Sequence, residues 1–158
     1  MQNILRIALV VFTCLTVGFL SGMMVQENIL TWYPTLTKPL FNPPNWVFAP
    51  VWTLLYIMMG VAAGIIWNKI EVYESEVKTA FLFFIFQLGL NALWSYLFFG
   101  MHNTFLALIE IILLWLVIFE TYTQFRKIEA LAAKLLLPYL AWVSFATVLN
   151  GSIWWLNR

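Results

Sequence analysis

The feature that most constrains this chain is the spacing of its charges. Four long segments carry no charged residue; they lie between Arg6 and Glu27, Lys38 and Lys69, Lys78 and Glu110, and Lys134 and Arg158. A helix needs about 20 mainly apolar residues to cross a bilayer. Hydrophobic residues make up 63% of the chain and charged residues 9%, against roughly 25% charged in soluble domains. The pattern therefore predicts an integral membrane protein.

These segments, with the apolar run that continues around Glu110, predict an all-α bundle of five transmembrane helices in a single domain, residues 1–158. The expected spans are 5–25, 46–67, 79–99, 103–122 and 135–155, and the first loop is 26–45. Helices satisfy their own backbone hydrogen bonds in lipid, and the runs lack the alternation of barrel strands. We expect the first span to be retained rather than removed as a signal peptide, because it is long and a poor cleavage site follows it.

Lys and Arg predict the orientation of the bundle. Six of these residues fall on the side that holds the N-terminus: Arg6, Lys69, Lys78, Arg126, Lys127 and Lys134. Only Lys38 and Arg158 fall on the other side. Cytoplasmic loops carry the excess of positive charge, so the N-terminus is expected in the cytoplasm and the C-terminus outside. The net charge of +1 excludes a strongly basic nucleic-acid binder.

Five of the six prolines lie between residues 34 and 50, four of them in the first loop (Pro34, Pro39, Pro43 and Pro44) and one, Pro50, at the start of the second span. Proline fixes its own φ and restricts the residue before it, so this loop is expected to be a semi-rigid lid. It also carries several aromatic residues. On their own these are equally consistent with an aromatic belt at the membrane surface.

Polar and aromatic residues follow one face of three of the predicted helices. The stripes are Trp52, Tyr56 and Gly60; Gln87, Asn91 and Ser95 with Trp94 beside them; and Tyr139, Trp142, Ala146, Asn150 and Trp154. Residues four apart share a helix face. Together the stripes favour an aromatic-walled cavity with few polar groups, the usual composition of a small-molecule site. For any single residue, hydrogen bonding between helices is the competing interpretation.

The remaining polar and small residues leave alternatives open. Glu110 lies inside the fourth span, where a carboxyl group is a candidate functional group. The spacings Gly18-x-x-x-Gly22 and Gly60-x-x-x-Gly64 serve either dimerisation or internal packing. His102, the single histidine, is interpreted as a solvated turn residue, with a porphyrin-ligand role as the alternative. With Cys14 as the single cysteine, no Cys/His metal cluster can form.

Three motifs in order resemble the translocator protein, or tryptophan-rich sensory protein, family (TspO/MBR), also called peripheral-type benzodiazepine receptors. The first loop and second span contain Trp32-Tyr33-x-x-Leu36-x-Lys38-Pro39, then Pro43-Pro44, and Pro50-x-Trp52-x-x-Leu55-Tyr56. The third span contains Asn91-x-x-Trp94-Ser95, and the fifth contains Pro138-Tyr139-x-x-Trp142-x-x-Phe145-Ala146-x-x-Leu149-Asn150. The similarity covers nearly the whole chain and is weakest in the first span.

The resemblance implies a five-helix bundle, expected as a homodimer, with a cavity under the first loop. It implies a receptor or sensor that binds porphyrins and isoquinoline- or benzodiazepine-type ligands and acts in tetrapyrrole regulation or stress response, with no required cofactor and no metal. The positions expected to bind the ligand are Tyr33, Pro43, Trp52, Tyr56, Gln87, Asn91, Trp94, Trp142 and Ala146. A sterol partner is not expected, because residues 148–158 lack the tyrosine of the family's proposed sterol motif, a weak pattern in itself.

The resemblance leaves two other functions open. The chain could be a light- or oxygen-dependent enzyme that degrades porphyrin through radicals on Trp52 and Trp142; otherwise no catalytic residue is expected, since no acid–base pair is evident. It could also be a tetrapyrrole transporter, although five spans do not divide into two repeats of whole helices.

Overall fold

The structure, a computed structural model, describes residues 2–158 and consists of helices joined by short connections. The helices are α1 Gln2–Thr31, α2 Asn45–Trp67, α3 Glu74–Ser95, α4 Thr104–Ile128, α5 Ala130–Lys134 and α6 Leu137–Leu156. A π-helical turn, Tyr96–Gly100, extends α3, and α5 and α6 run as one span. Over the described residues, five helical segments are long and apolar enough to cross a membrane. This confirms the predicted all-α bundle.

The helices extend past the boundaries that the charges predicted. The first span, predicted as 5–25, is helical from Gln2 to Thr31, so the predicted loop 26–45 was too long. Likewise α3 begins before residue 79 and α4 continues beyond residue 122. The reason is physical: a charge marks where the chain leaves the hydrocarbon, whereas backbone hydrogen bonds continue into the headgroup region. The remaining connection, residues 32–44, is called the lid below.

The α1–α2 pair packs closely through glycines of α2. A Cβ added at Gly60 would lie 2.5 Å from Cα of Val11, and one at Gly64 would lie 2.5 Å from Cα of Ile7. The two backbones are therefore in direct contact, as small residues allow. The Gly60-x-x-x-Gly64 spacing serves internal packing, which settles the alternative left open by the sequence.

Toward the lid the same two helices separate. A Cβ at Gly18 would overlap the ring of Tyr56, while nothing lies within 4 Å of one at Gly22. The space that opens beyond Gly18 is the upper part of the cavity described below.

Hydrogen bonds and ion pairs connect the other helices. Trp115 Nε1 donates to Ser144 Oγ at 2.7 Å, which joins α4 to α6. At the end of the bundle away from the lid, Lys69 Nζ lies 3.1 Å from Glu129 Oε2. Hydrogen bonding and the charge of Lys69 lower the pKa of Glu129, whose side chain also accepts from Leu131 N at the start of α5. Connections at this end are thus held by short polar contacts.

Candidate functional site: a lidded cavity between the helices

A partly open cavity of about 660 Å³ lies under the lid, between α1, α2, α3 and α6. That volume suits a drug-sized ligand. Seven of the nine residues predicted from sequence to bind a ligand line it: Tyr33, Trp52, Tyr56, Asn91, Trp94, Trp142 and Ala146. The structure therefore brings together residues from three helices and the lid that are up to 113 positions apart, counting from Tyr33 to Ala146.

Tyr56 and Asn91 form the floor of the cavity, and hydrogen bonds join them to Tyr139, which is buried behind them and outside the cavity lining. The Tyr56 hydroxyl donates to Asn91 Oδ1 at 2.6 Å, and Asn91 Nδ2 donates to the Tyr139 hydroxyl at 2.9 Å. All three side chains are buried. Asn91 therefore joins α2, α3 and α6 and also lines the cavity, so the two interpretations of the stripe on α3 both hold for this residue.

A second amide fixes the orientation of Trp94. Asn150 Oδ1 accepts from Trp94 Nε1 at 3.1 Å, and Asn150 Nδ2 donates to the Thr104 carbonyl at 2.8 Å. The Trp94 ring stacks on Phe98 with centroids 5.3 Å apart. Because both ends of this amide are used, Asn150 holds an aromatic wall in place.

The facing wall is aromatic and has spare hydrogen-bond donors. Trp142 packs edge-on against Phe48 at 6.2 Å and beside Phe145 at 5.5 Å, while Trp52 packs against Tyr56 at 5.9 Å and Tyr139 at 6.3 Å. Within residues 2–158 the indole nitrogens of Trp52 and Trp142 form no hydrogen bond with the protein. An indole N–H is a donor only, so both are available to an acceptor on a ligand.

The lid is anchored over the cavity by Tyr33. Its ring is 3% exposed and contacts Phe99 edge-on, with centroids 5.5 Å apart. Its hydroxyl donates to Asn42 Oδ1 at 2.6 Å. Burial raises the pKa of Tyr33 to about 12, although the bond to Asn42 opposes this shift. The Tyr33 hydroxyl therefore keeps its proton at physiological pH and can donate it to Asn42.

The lid is also joined to the end of α6. Asn157 Oδ1 accepts from the backbone N–H of Thr37 at 2.9 Å, and Asn157 Nδ2 donates to the Thr37 carbonyl at 2.9 Å. The same Nδ2 donates to the Ile153 carbonyl at 2.7 Å. This bond holds the Asn157 side chain on the last turn of α6.

Two of the predicted ligand-binding residues lie outside the cavity lining. Gln87 is buried one turn deeper along α3 than Asn91, with Nε2 3.9 Å from Met59 Sδ. Pro43 lies in the lid, where its carbonyl accepts from Asn42 Nδ2 at 3.0 Å. Trp154, at the end of the stripe on α6, packs against Phe105 at 5.2 Å and is likewise absent from the lining.

Sequence reasoning missed the side of the cavity formed by α1. Its lining residues there are Leu15, Gly18, Phe19, Ser21, Gly22, Met23, Val25, Gln26 and Ile29. No polar or aromatic stripe marks this helix, because its contribution is mostly apolar surface. The available signal was the Gly18-x-x-x-Gly22 spacing, since both glycines face the cavity.

The other candidate groups lie elsewhere. Glu110 is buried in α4, and neither of its carboxyl oxygens has a hydrogen-bond partner. His102 has a φ of 53°, stacks on Trp32 at 4.2 Å, and lies with Nε2 3.1 Å from Asn28 Oδ1. His102 is exposed, and these contacts connect the α3–α4 turn to the base of the lid. In residues 2–158 no group of three His, Cys, Asp or Glu side chains is placed to hold a metal ion.

Comparison of the sequence with known proteins identifies its relatives. A sequence model described as the TspO/MBR family matches residues 10–156. The chain is 43% identical to the tryptophan-rich protein TspO of Chlorobaculum tepidum, covering 99% of this chain and 98% of that protein. It is 38% identical to the tryptophan-rich sensory protein of Cereibacter sphaeroides (87% and 82%), and 35% identical to the translocator protein of Homo sapiens (86% and 80%).

Proposed function

The chain belongs to the TspO/MBR family and is a multi-pass integral membrane protein, and from this premise we propose that it is a receptor or sensor for porphyrins. The names of its relatives, which include a translocator protein and a tryptophan-rich sensory protein, support a membrane sensor or receptor. The single observation that carries the porphyrin proposal is the shape and chemistry of the cavity. It is large, walled by aromatic rings, and lined by no charged side chain.

A planar, mostly apolar ring system matches such a site. Aromatic faces stack with a tetrapyrrole or a fused-ring drug, and these contacts contribute beyond the apolar area that they bury. The free N–H groups of Trp52 and Trp142 supply donors for a carbonyl or carboxyl oxygen. A well-formed apolar pocket with a few convergent polar groups is the usual form of a ligand site. Isoquinoline- and benzodiazepine-type ligands are proposed to occupy the same space.

The proposal includes a homodimer that uses a surface other than the close contact between α1 and α2, which is called the α1–α2 seam below. Gly60 and Gly64 are in contact with Val11 and Ile7 of the same chain, so this pair of glycines is not free to contact a second copy. Porphyrin is proposed as a ligand and not as a resident cofactor.

The decisive experiment uses a substitution that fills part of the cavity and removes none of its hydrogen bonds. Ala146 lines the cavity on α6, whereas Ala141 is exposed on the same helix. Ala146→Phe should lower the affinity for protoporphyrin IX at least tenfold, measured by quenching of tryptophan fluorescence in purified protein. Ala141→Phe adds the same ring outside the cavity and should bind as the parent protein does.

The outcomes separate specific binding from adsorption. Saturable quenching that Ala146→Phe removes and Ala141→Phe leaves unchanged supports the proposal. Quenching that rises linearly with porphyrin concentration, or that is the same in all three proteins, contradicts the proposal. Porphyrin that only partitions into the detergent around the helices would quench equally whatever side chain stands at position 146.

A further inference from the structure

The cavity opens on the side where α1 and α2 separate. Some of its lining residues are also exposed on the surface of the bundle: Phe19, Gly22, Met23 and Gln26 on α1, and Asn45, Ala49 and Thr53 on α2. Every lining residue on α3, its π-helical turn and α6 is buried or partly buried. A residue that lines a cavity and is also exposed lies at its entrance. These residues of α1 and α2 are called the side opening below.

The side opening lies at the depth of the hydrocarbon chains. Residues 7–26, between Arg6 and Glu27, carry no charge, and these 20 residues of helix span about 30 Å, the thickness of the hydrocarbon core. Phe19 lies eight residues before Glu27 and Gly22 five, which places them about 12 Å and about 8 Å below the level of Glu27. The side opening therefore faces the acyl chains of the leaflet on the lid side.

The interior of the cavity suits such a chain. Its lining is mainly aromatic and aliphatic and contains no charged residue. On the floor, the Tyr56 hydroxyl already donates to Asn91 Oδ1, so a chain that covers this pair leaves the bond intact. Water is disfavoured in such a space, because each buried water needs several polar partners.

The affinity for a chain is expected to be modest. A chain that moves from the bilayer into the cavity passes from one apolar environment to another, so only packing contacts favour its entry. The free indole N–H groups of Trp52 and Trp142 gain no acceptor from a hydrocarbon. A ligand that offers them an acceptor is therefore preferred and displaces the chain.

We propose that the cavity is also a binding site for the acyl chain of a phospholipid, which enters from the leaflet on the lid side between α1 and α2. The phospholipid keeps its headgroup at the membrane surface, because a chain of that leaflet already passes the side opening at the required depth. This site goes beyond the proposed function and does not depend on it.

The test locates the chain by photo-crosslinking. The purified protein is placed in phosphatidylcholine nanodiscs that contain a phosphatidylcholine with a diazirine at the end of one chain, and crosslinked residues are identified by mass spectrometry. Tyr56 and Asn91 line the cavity and are only 6% and 2% exposed, so crosslinks there report a chain inside. Leu116 is exposed on α4, outside the lining, and reports contact with the surrounding lipid.

Two glycine variants separate the side opening from the rest of the lipid-facing surface. Nothing lies within 4 Å of a Cβ added at Gly22 or at Gly89, so a leucine fits at either position. Gly22 belongs to the side opening, whereas Gly89 is exposed on α3 outside the lining. Gly22→Leu should lower crosslinking at Tyr56 and Asn91 by about fivefold or more, which corresponds to about 1 kcal/mol. Gly89→Leu should crosslink as the parent protein does, and Leu116 should be labelled equally in all three proteins.

Two results would overturn the inference. If the parent protein is labelled at Leu116 but not at Tyr56 or Asn91, no chain enters the cavity. If Gly22→Leu keeps the crosslinks of the parent protein, the chain does not pass between α1 and α2.

A further arm keeps this inference distinct from the proposed function. Protoporphyrin IX added to the parent protein should remove the crosslinks at Tyr56 and Asn91 and leave those at Leu116. Cavity crosslinks that persist at every porphyrin concentration support the acyl-chain site and contradict the proposed function. Saturable porphyrin binding without any cavity crosslink contradicts the acyl-chain site alone.

Discussion

Asn91 shows what a single residue in a sequence can and cannot indicate. Its position four residues from Gln87 and Ser95 placed it on a polar face of α3, and the structure puts it on the cavity floor. Gln87 has the same spacing but lies one turn deeper, beside Met59. Periodicity identifies the face of a helix, whereas the depth at which a cavity ends depends on side chains from other helices.

The hydrogen bonds of Asn91 predict that removal of its side chain lowers the stability of the fold. Asn91→Ala deletes the acceptor of the Tyr56 hydroxyl and the donor to Tyr139, and leaves two buried phenols unpaired. Each unsatisfied buried group costs about 1–3 kcal/mol, so the variant should unfold at clearly lower temperature or denaturant concentration in detergent. Tyr56→Phe removes only the first bond and should lose less. Equal stability of Asn91→Ala and the parent protein would contradict the described floor.

At the scale of the helix, the α1–α2 seam gives the sharpest prediction. In Gly60→Ala the new methyl group would lie 2.5 Å from Cα of Val11, so the backbones must separate. Overpacking of this kind costs about 1–3 kcal/mol. Nothing lies within 4 Å of the corresponding position at Gly89 on α3, where alanine should be neutral or stabilise the helix by up to about 1 kcal/mol. Thermal unfolding of the two variants in one detergent measures the difference.

The opposite order, with Gly89→Ala the less stable variant, would show that the seam is not closed as described.

The sequence identified the glycine pair of α2 but could not assign its role, because a GxxxG spacing is the same whether the facing helix belongs to the same chain or another. The facing residues, Val11 and Ile7, have no distinguishing pattern of their own.

The lid is the element that sequence described least completely. Its prolines predicted stiffness, but the contact between Thr37 and Asn157 joins residues 120 positions apart, and no local pattern indicates it. Asn157→Ala removes both bonds to the Thr37 backbone. The Thr37 amide should then exchange its hydrogen faster, by about fivefold or more if the pair contributes about 1 kcal/mol.

Arg158→Ala is the matched control for this measurement, since Arg158 is adjacent in sequence and contacts Trp155. It should leave exchange at Thr37 unchanged. Association and dissociation of a cavity ligand should both become faster in Asn157→Ala, because the lid opens more often. Exchange at Thr37 as slow as in the parent protein would show that Asn157 does not hold the lid.

For the whole molecule, the five spans could be predicted because charges are so costly in lipid that long segments without them indicate where the chain crosses the membrane. The arrangement of the helices could not. Lipid-facing and cavity-facing residues of α1 are both apolar, so hydrophobicity does not separate them. That α1 forms one side of the cavity follows only from the way it diverges from α2 beyond Gly18.

The orientation proposed from Lys and Arg is a property of the whole bundle and can be measured directly. Leu40, in the lid, is fully exposed, and Ser75, at the start of α3, is exposed at the opposite end. The native Cys14 is 0% exposed, so it contributes little background with a thiol reagent that cannot cross membranes. In intact cells Leu40→Cys should be labelled and Ser75→Cys should be protected until the membrane is opened. Labelling of Ser75→Cys but not Leu40→Cys would invert the bundle and place the lid, with Lys38, on the cytoplasmic side.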